Sequence, residues 1–377
     1  MKRVILLRSN PVNPDPPVEK AALSLCNAGY HVTIIGWDRD ADYDLKKDLL
    51  PLADHQVDVI RFGIKAQFSG GIKKNLVPLC LFLKRLRSWL IKNRTAYDMI
   101  HAFDFDTGFI ASRYAKKFHK KFVYHILDYY VASHGLRKTV LEKPICQLEN
   151  SVINAADATI ICTEKRKAQI AGSMPKRLAV IHNTPSAAQL KQCAHKTQPT
   201  GRIKIVYVGI LESSRLLREI AAAVRERNDL EFHVAGFGTL DAFFKEQSQI
   251  HENISYYGRL TYDQTLSLEN ECDIMLAIYD PLVDNHRFAA PNKFYESLLL
   301  GKPVIMVRGT GMSEVVEENA IGELIEFSKE GFLDGVNRLI RRKAEWPMIG
   351  SRMKELYQNQ YCWDEMERRL IQLYTDL

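Results

Sequence analysis

The sequence predicts an α/β protein of two domains, each a parallel sheet with helices on both faces. Three observations predict it. The 377-residue chain exceeds what one compact core usually holds. Short apolar runs alternate with helical periodicities in two successive series, and a polar stretch separates them.

The first series opens with an apolar run at residues 4–7, a Pro-rich loop, helical spacing over 17–27, and a strand over 31–36 entered through Gly29. It continues with a strand at 99–103, a helical pattern over 107–118 and a strand at 122–126. A helix holding 148–155 precedes strands at 158–162 and 178–182, the last closed by Asn183 and Pro185. Runs apolar on both faces suit a sheet covered on both sides. Residues 186–202 are small and polar, as an exposed connection would be. The second series has strands at 203–209, 230–236, 254–258, 274–279 and 303–307 with helices between, one of them around 216–224. After residue 330 only helical patterns follow. Met366, Leu370 and Leu373 fall at i, i+4, i+7 with Trp363 a turn earlier, an apolar stripe that needs a docking surface. A helix returning to the first domain supplies one. The expected division is therefore 1–186, 187–350, and a returning segment at 351–377.

With 46% hydrophobic and 26% charged residues, the composition is that of an ordered globular protein. The apolar run at 4–7 is too short for a signal-peptide core, and the stretch at 76–83, broken by Pro78, falls well below the roughly 20 residues of a bilayer span. Seven cysteines without Cys-x-x-Cys spacing argue against a disulfide framework and a zinc cluster, and suit a reducing cytoplasm. The formal charge is +7, and residues 62–95 contain eight Lys/Arg and no acid, so that subtracting them leaves −1. The basicity is local. Projected as a helix, 79–92 puts Leu79, Leu83, Leu86 and Leu90 on one side, with Phe82 and Trp89 beside them, and Lys84, Arg85, Arg87 and Lys92 around the other. Such a helix either packs on its own sheet with solvated charges or also meets an anionic membrane surface. No nucleic-acid recognition motif accompanies it.

Two sheets of this kind raise the question of a dinucleotide enzyme. The glycine fingerprint is missing after the first strand, where prolines fill residues 11–17, and Gly236-Phe-Gly238 follows a later strand and lacks the third glycine. A different anion site is legible around residues 290–296. Pro291 suits a helix start, 292–300 is helical in pattern, and Gly301-Lys302-Pro303 closes it before a buried strand. The amino end of that helix offers unpaired N–H groups and the positive end of a dipole, Lys293 adds a charge, and Glu296 one turn later accepts hydrogen bonds from a diol. The competing structural reading has Asn292 as a cap, Lys293 solvated and Glu296 paired with a neighbour.

Several segments resemble the GT-B glycosyltransferases of the family 4 type, bacterial enzymes that build surface polysaccharides. They are residues 15–25 with 28–38, where Pro17 replaces a common Arg, then 253–259, 272–277, and above all 290–305. The resemblance implies two Rossmann-like domains facing a cleft, a carboxy-terminal helix crossing back, and a UDP- or GDP-sugar donor held without metal. It assigns the donor to Asn292, Lys293 and Glu296, with Arg215 on the diphosphate and Gly236 and Gly238 near the nucleobase. Arg218 is the residue most easily confused with Arg215, and Ile210 stands where the family often has a second Arg. The family's Glu-x7-Glu pair is broken, because Phe288 occupies the first position; Asp284 is an alternative, and Arg287 suggests an acidic sugar. Retention of anomeric configuration is favoured but left open. An inverting reaction needs a carboxylate base. Asp128, at a strand exit, is the first candidate and Asp15 the second, with Asp104 and Asp106 on the same face and His101 and His125 packed inside strands. The implied acceptor is a glycan or lipid-linked sugar, reached from the cytoplasm at the inner membrane face. An epimerase of the same architecture and an inactive scaffold are the alternatives.

Overall fold

The structure, a computed structural model, describes residues 1–67, 71–187 and 201–377, with 71–73 as backbone only. Most of the 186–202 connection, and the side chain of Lys73 in the basic segment, lie outside the described residues. The chain divides into two units, Met1–Asn183 with Met366–Leu377, and Thr184–Glu365.

The first unit runs β1 (Arg3–Leu7), α1 (Pro16–Asn27), β2 (His31–Asp38), β3 (Tyr43–Leu52), β4 (His55–Gly63), α2 (Gly71–Lys92), β5 (Met99–Phe103), α3 (Asp104–Phe118), β6 (Lys121–Ile126), α4 (Tyr130–Ser133), α5 (Glu142–Ala155), β7 (Ala158–Ile161) and β8 (Leu178–Val180). Its eight strands are ordered β3-β4-β2-β1-β5-β6-β7-β8, and only the β3–β4 pairing is antiparallel. Every residue of β5 is buried, as expected of a central strand covered on both faces. The β3–β4 ribbon was not among the expected strands. Its outer strand, Tyr-Asp-Leu-Lys-Lys-Asp-Leu-Leu-Pro-Leu, is mostly exposed and charged, and Pro51 is tolerated because β3 is an edge.

Helix α2 spans the predicted amphipathic stretch and begins earlier, continuing through Pro78. Phe82, Leu86 and Leu90 enter the core, with Phe82 stacked on Trp37 at 5.3 Å, while Leu79, Leu83 and Trp89 pack partly buried against it. Full burial of each such side chain stabilises the fold by ~2 kcal/mol. Arg85 donates to the carbonyls of Tyr43 (2.7 Å) and Gly63 (3.1 Å), tying the helix to the ribbon.

The second unit contains β9 (Ile203–Ile210), α6 (Leu217–Arg225), β10 (Leu230–Phe237), α7 (Asp241–Ile250), β11 (Ile254–Tyr256), α8 (Tyr262–Glu271), β12 (Ile274–Ala277), α9 (Asn292–Leu300), β13 (Val304–Val307), α10 (Ser313–Glu318), β14 (Gly322–Ile325), α11 (Lys329–Arg341) and α12 (Trp346–Leu356). Its sheet is parallel throughout, in the order β11-β10-β9-β12-β13-β14. The short β14, Gly-Glu-Leu-Ile, is a third strand beyond those expected. Helix α9 has the predicted limits. Gly301 at φ 69° closes it, with Gly301 N–H donating to Leu298 O (3.2 Å) and Lys302 N–H to Ser297 O (3.0 Å), the paired bonds of a Schellman end.

The last helix, α13 (Trp363–Thr375), carries the predicted stripe, and Met366, Leu370, Leu373 and Tyr374 are buried. The chain rejoins the first unit at Met366. That is later than the expected 351, because Ile349, Met353, Leu356, Tyr357 and Tyr361 form a core with Phe294, Tyr295 and Leu298 of α9.

Candidate functional site

In the second unit the candidate residues gather at the carboxyl ends of β9, β10 and β12, where open parallel sheets place their ligands. The glycines there answer first to packing. A Cβ on Gly236 (φ 138°) would lie 1.8 Å from the Gly209 carbonyl oxygen, and one on Gly238 (φ 152°) 2.5 Å from that of Leu211. Only glycine lets the ends of β9 and β10 approach so closely. Both also line a cavity of about 680 Å³ with Phe237, Tyr256, Gly258 and Arg259, whose guanidinium lies 4.8 Å over the half-exposed Phe237 ring.

Lys293 projects from the first turn of α9 to the end of β9. A Cβ on Gly209 would lie 2.7 Å from its Nζ, which sits 4.7 Å over the Tyr207 ring. Burial opposes its charge, but Tyr207, Tyr279 and Glu296 outweigh that and leave its pKa raised. Arg215, in the turn after β9, stacks 3.8 Å over Tyr279 and donates to His286 Nε2 at 3.1 Å. Arg218 lies over Phe243 at 4.2 Å and takes no part. Neither Lys293 nor Arg215 forms an ion pair with a carboxylate among the described residues. The helix start behind Lys293 is capped by Pro291, without any side-chain cap hydrogen bond, so the structural reading of Asn292 as the cap does not apply.

Glu296 is buried, at 3% exposure, and hydrogen-bonded to Tyr262. Facing it from α8 is Glu269, 1% exposed, with neither carboxylate oxygen hydrogen-bonded. Burial and then the Glu296 charge push its pKa well above the carboxylate range, against an opposing pull from Lys293. The turn before α9 holds Asp284, Arg287 and Phe288 with the buried His286. His286 and Glu269 carried no motif, and the sequence reading passed over both.

In the first unit, Asp15 and Asp104 share Arg8. Arg8 Nε donates to Asp15 at 2.7 Å and its Nη1 bonds Asp104, whose other oxygen accepts from the backbone of Leu127 (2.9 Å) and Asp128 (3.1 Å). Asp104 opens α3 at φ 60°, an unfavourable conformation for a residue with a Cβ, held by these bonds. Asp106 accepts from Ser9 Oγ at 3.0 Å. Asp15 is buried inside its ion pair. Asp128 is half-exposed and receives Arg166 Nη2 at 2.9 Å, while the same buried guanidinium donates to Cys162 Sγ at 2.8 Å. His101 lies 2.7 Å from Tyr374 Oη and 3.2 Å from His125; burial lowers the His101 pKa to about 3, and burial with the His101 and Arg8 charges lowers that of His125 as well. Both are neutral packing residues. Arg8, Arg166 and the buried Glu149 were missed; only Arg8, next to the first loop, had a signal of position.

Among the described residues there is no group of three or more His, Cys, Asp or Glu placed to hold a metal, and no helix long and apolar enough to cross a membrane.

Residues 17–184 match the family described as glycosyl transferase 4-like domain, and residues 202–342 match glycosyl transferases group 1. No curated protein matches the sequence. Among solved structures, sucrose-phosphate synthase from Thermosynechococcus elongatus is similar over 100% of this chain and 99% of its own, with TM-score 0.78 at 15% identity. HepE of Anabaena in complex with UDP-glucose has TM-score 0.70 at 16% identity over 99% of this chain and 100% of its own. Trehalose 6-phosphate synthase from Burkholderia multivorans has TM-score 0.68 at 13% identity, covering 100% and 97%. With the two matches spanning both sheets, the chain belongs to the GT-B glycosyltransferases, with a 4-like first domain and a group 1 second domain.

Proposed function

We propose that the protein moves a sugar from a nucleotide-diphosphate donor, UDP- or GDP-linked, onto a glycan or lipid-linked acceptor used in surface polysaccharide. The observation that carries the donor half is the pair of cations at the end of β9: Lys293 and Arg215 stand beside Gly209 and Tyr279 with no salt bridge to a carboxylate among the described residues. Half-buried cations that form no salt bridge with a carboxylate suit an anion that arrives from outside. Glu296 then faces the ribose diol, and the cavity along Gly236, Gly238 and Gly258 takes the base. A solved neighbour is described in complex with UDP-glucose, which agrees with this donor class.

On the acceptor side, Asp128 is the base we assign if the reaction inverts. Asp15, spoken for by Arg8, orients the loop. Membrane contact rests on α2, whose outer face carries Leu76, Val77 and Leu81, 52%, 69% and 46% exposed, near the exposed Lys84 and Arg87. Apolar side chains beside lysine and arginine suit an anionic lipid surface, at ~1 kcal/mol for each cation near it.

The deciding experiment is a thermal-shift screen with UDP-, GDP-, CMP- and dTDP-sugars, followed by Lys293→Ala and Glu296→Ala. Selective stabilisation by one nucleotide class, lost in both variants with the fold retained, is expected. No response of the parent to any of them would end the assignment. Donor conversion in the absence of any acceptor would point to an epimerase.

A further inference from the structure

Arg215 is only as useful to a diphosphate as its orientation, and the structure assigns that orientation to His286. Arg215 cannot accept a hydrogen bond, so the 3.1 Å contact between its Nη1 and His286 Nε2 requires Nε2 to be the bare ring nitrogen. The proton then sits on Nδ1, which faces the Asp280 carbonyl oxygen at 2.9 Å and donates to it. Two partners fix one neutral tautomer. The ring is 9% exposed, meets Tyr279 edge-on at 5.0 Å, and its backbone is pinned by the bonds from His286 N to Val283 O and from Gly311 N to His286 O. Arg215 is thus clamped between the face of Tyr279 and an acceptor that stops accepting when protonated.

We propose that His286 is a positioning residue for the diphosphate cation, and that its protonation releases Arg215 and weakens donor binding. This rests on the nucleotide-sugar reading and deepens it. The groups around the ring determine the sign. From the β9 side come Arg215 and, behind it, Lys293 and Tyr207; from the end of β12 come Tyr279 and Asp280; the ring's own turn carries Asp284 and Arg287. The Asp280 carboxylate accepts from Leu282 N at 2.8 Å within its own loop. A second positive charge on the imidazole would face the guanidinium donor to donor, and both the hydrogen bond and the local electrostatics would turn repulsive. Ile210 offers no replacement cation, so the site would be left with Lys293 alone.

The test is calorimetric titration of the full chain with UDP-glucose and with GDP-mannose at about pH 8 and about pH 5.5, the range in which histidine charges. These probes carry a diphosphate diester whose own charge is constant over that range. The parent is expected to lose about tenfold in affinity on acidification, the worth of one hydrogen bond to a charged group. His286→Gln, whose amide oxygen accepts without titrating, should bind at the higher pH much as the parent does and keep its affinity at the lower. Arg215→Ala should bind weakly at both and show no pH dependence, giving a second readout if His286→Gln proves unstable. A parent affinity unchanged by pH, or a His286→Gln profile that tracks the parent, overturns the proposal. Failure of the parent to bind either probe at the higher pH sinks the nucleotide-sugar reading itself, and this inference with it.

Discussion

Glu149→Gln should make the protein more stable at alkaline pH and leave it nearly unchanged in mild acid. Glu149 is fully buried on α5, where Tyr124 Oη donates to its Oε1 at 2.9 Å and Tyr130 N–H to its Oε2 at 3.2 Å. Burial raises its pKa from the usual 4.5 to about 8, outweighing those two bonds. The folded chain therefore keeps a proton that the unfolded chain has already lost. Stability is complete below about 4.5, falls as pH rises, and levels off above about 8. Integrating ~1.4 kcal/mol per pH unit between those values gives a loss of ~5 kcal/mol. Glutamine has the shape of the acid and nothing to ionise: its oxygen accepts from the Tyr130 N–H, and its amide donates to the Tyr124 hydroxyl, which rotates its own proton away to accept. At ~2–4 °C per kcal/mol for a unit of this size, the variant should melt about 10 °C above the parent by pH 9 and level with it near pH 5. His101 and His125, held neutral by burial, lower stability in acid equally in both proteins, so the difference isolates Glu149. Scanning fluorimetry from pH 5 to pH 9 reads it. Parallel profiles, or a variant less stable throughout, would refute the assignment of a buried proton to this residue.

Lys293→Ala should weaken nucleotide-sugar binding by 10- to 100-fold, the range for a charge-assisted contact, with an unchanged melting temperature in the free protein; equal binding in calorimetry contradicts its role. Asp128→Asn should lower turnover while donor affinity persists, and turnover equal to the parent's removes it from the chemistry. Gly236→Ala should cost ~3 kcal/mol or more in urea unfolding, because its Cβ meets the Gly209 carbonyl at 1.8 Å on a backbone of positive φ. Lys84→Glu with Arg87→Glu should abolish co-sedimentation with anionic vesicles and leave the fold intact; binding to neutral vesicles just as strong in the parent contradicts an electrostatic contact.

What the sequence disclosed, and what it hid, divides along a physical line. Helix α9 was legible to the residue because its limits are local: Pro291 opens it, and Gly301 takes the left-handed conformation that ends it. The central strands were legible because burial on both faces leaves nearly continuous apolar runs. The outer strand of the β3–β4 ribbon was not, since an edge strand covered by lysine and aspartate has neither signal, and β4 interrupts its buried Val57, Val59, Ile60 and Phe62 with Asp58 and Arg61. The site carboxylates were hidden for a different reason. A sequence shows where a charge is placed along the chain but not whether a partner has already neutralised it. Asp128 reads as the first candidate and Asp15 as the second, and both turn out to have an arginine, Arg166 from 38 residues away and Arg8 from the same strand exit.

The same ambiguity runs the other way for cations, where it favours the proposed donor site. Lysine or arginine at a sheet end is most often solvated or paired, and Arg308, after β13, behaves so, bonded to Glu317. Lys293 and Arg215 differ in being held by aromatic faces and a neutral imidazole, partners that fix a cation in place without cancelling its charge. Rings at 4.7 Å and 3.8 Å orient these cations at little electrostatic cost to an incoming anion, whereas a carboxylate in the same places would have to be displaced. Phe288 continues that pattern in the turn before α9: where the family pattern has an acid, the turn offers a ring, and its buried His286 is committed to Arg215. The protein's contribution to sugar selection must then come from elsewhere than a carboxylate at 288. Restoring the acid by Phe288→Glu supplies the decisive comparison: tighter discrimination among sugars on one nucleotide would show that the turn still reaches the sugar, and unchanged discrimination would show that it no longer does.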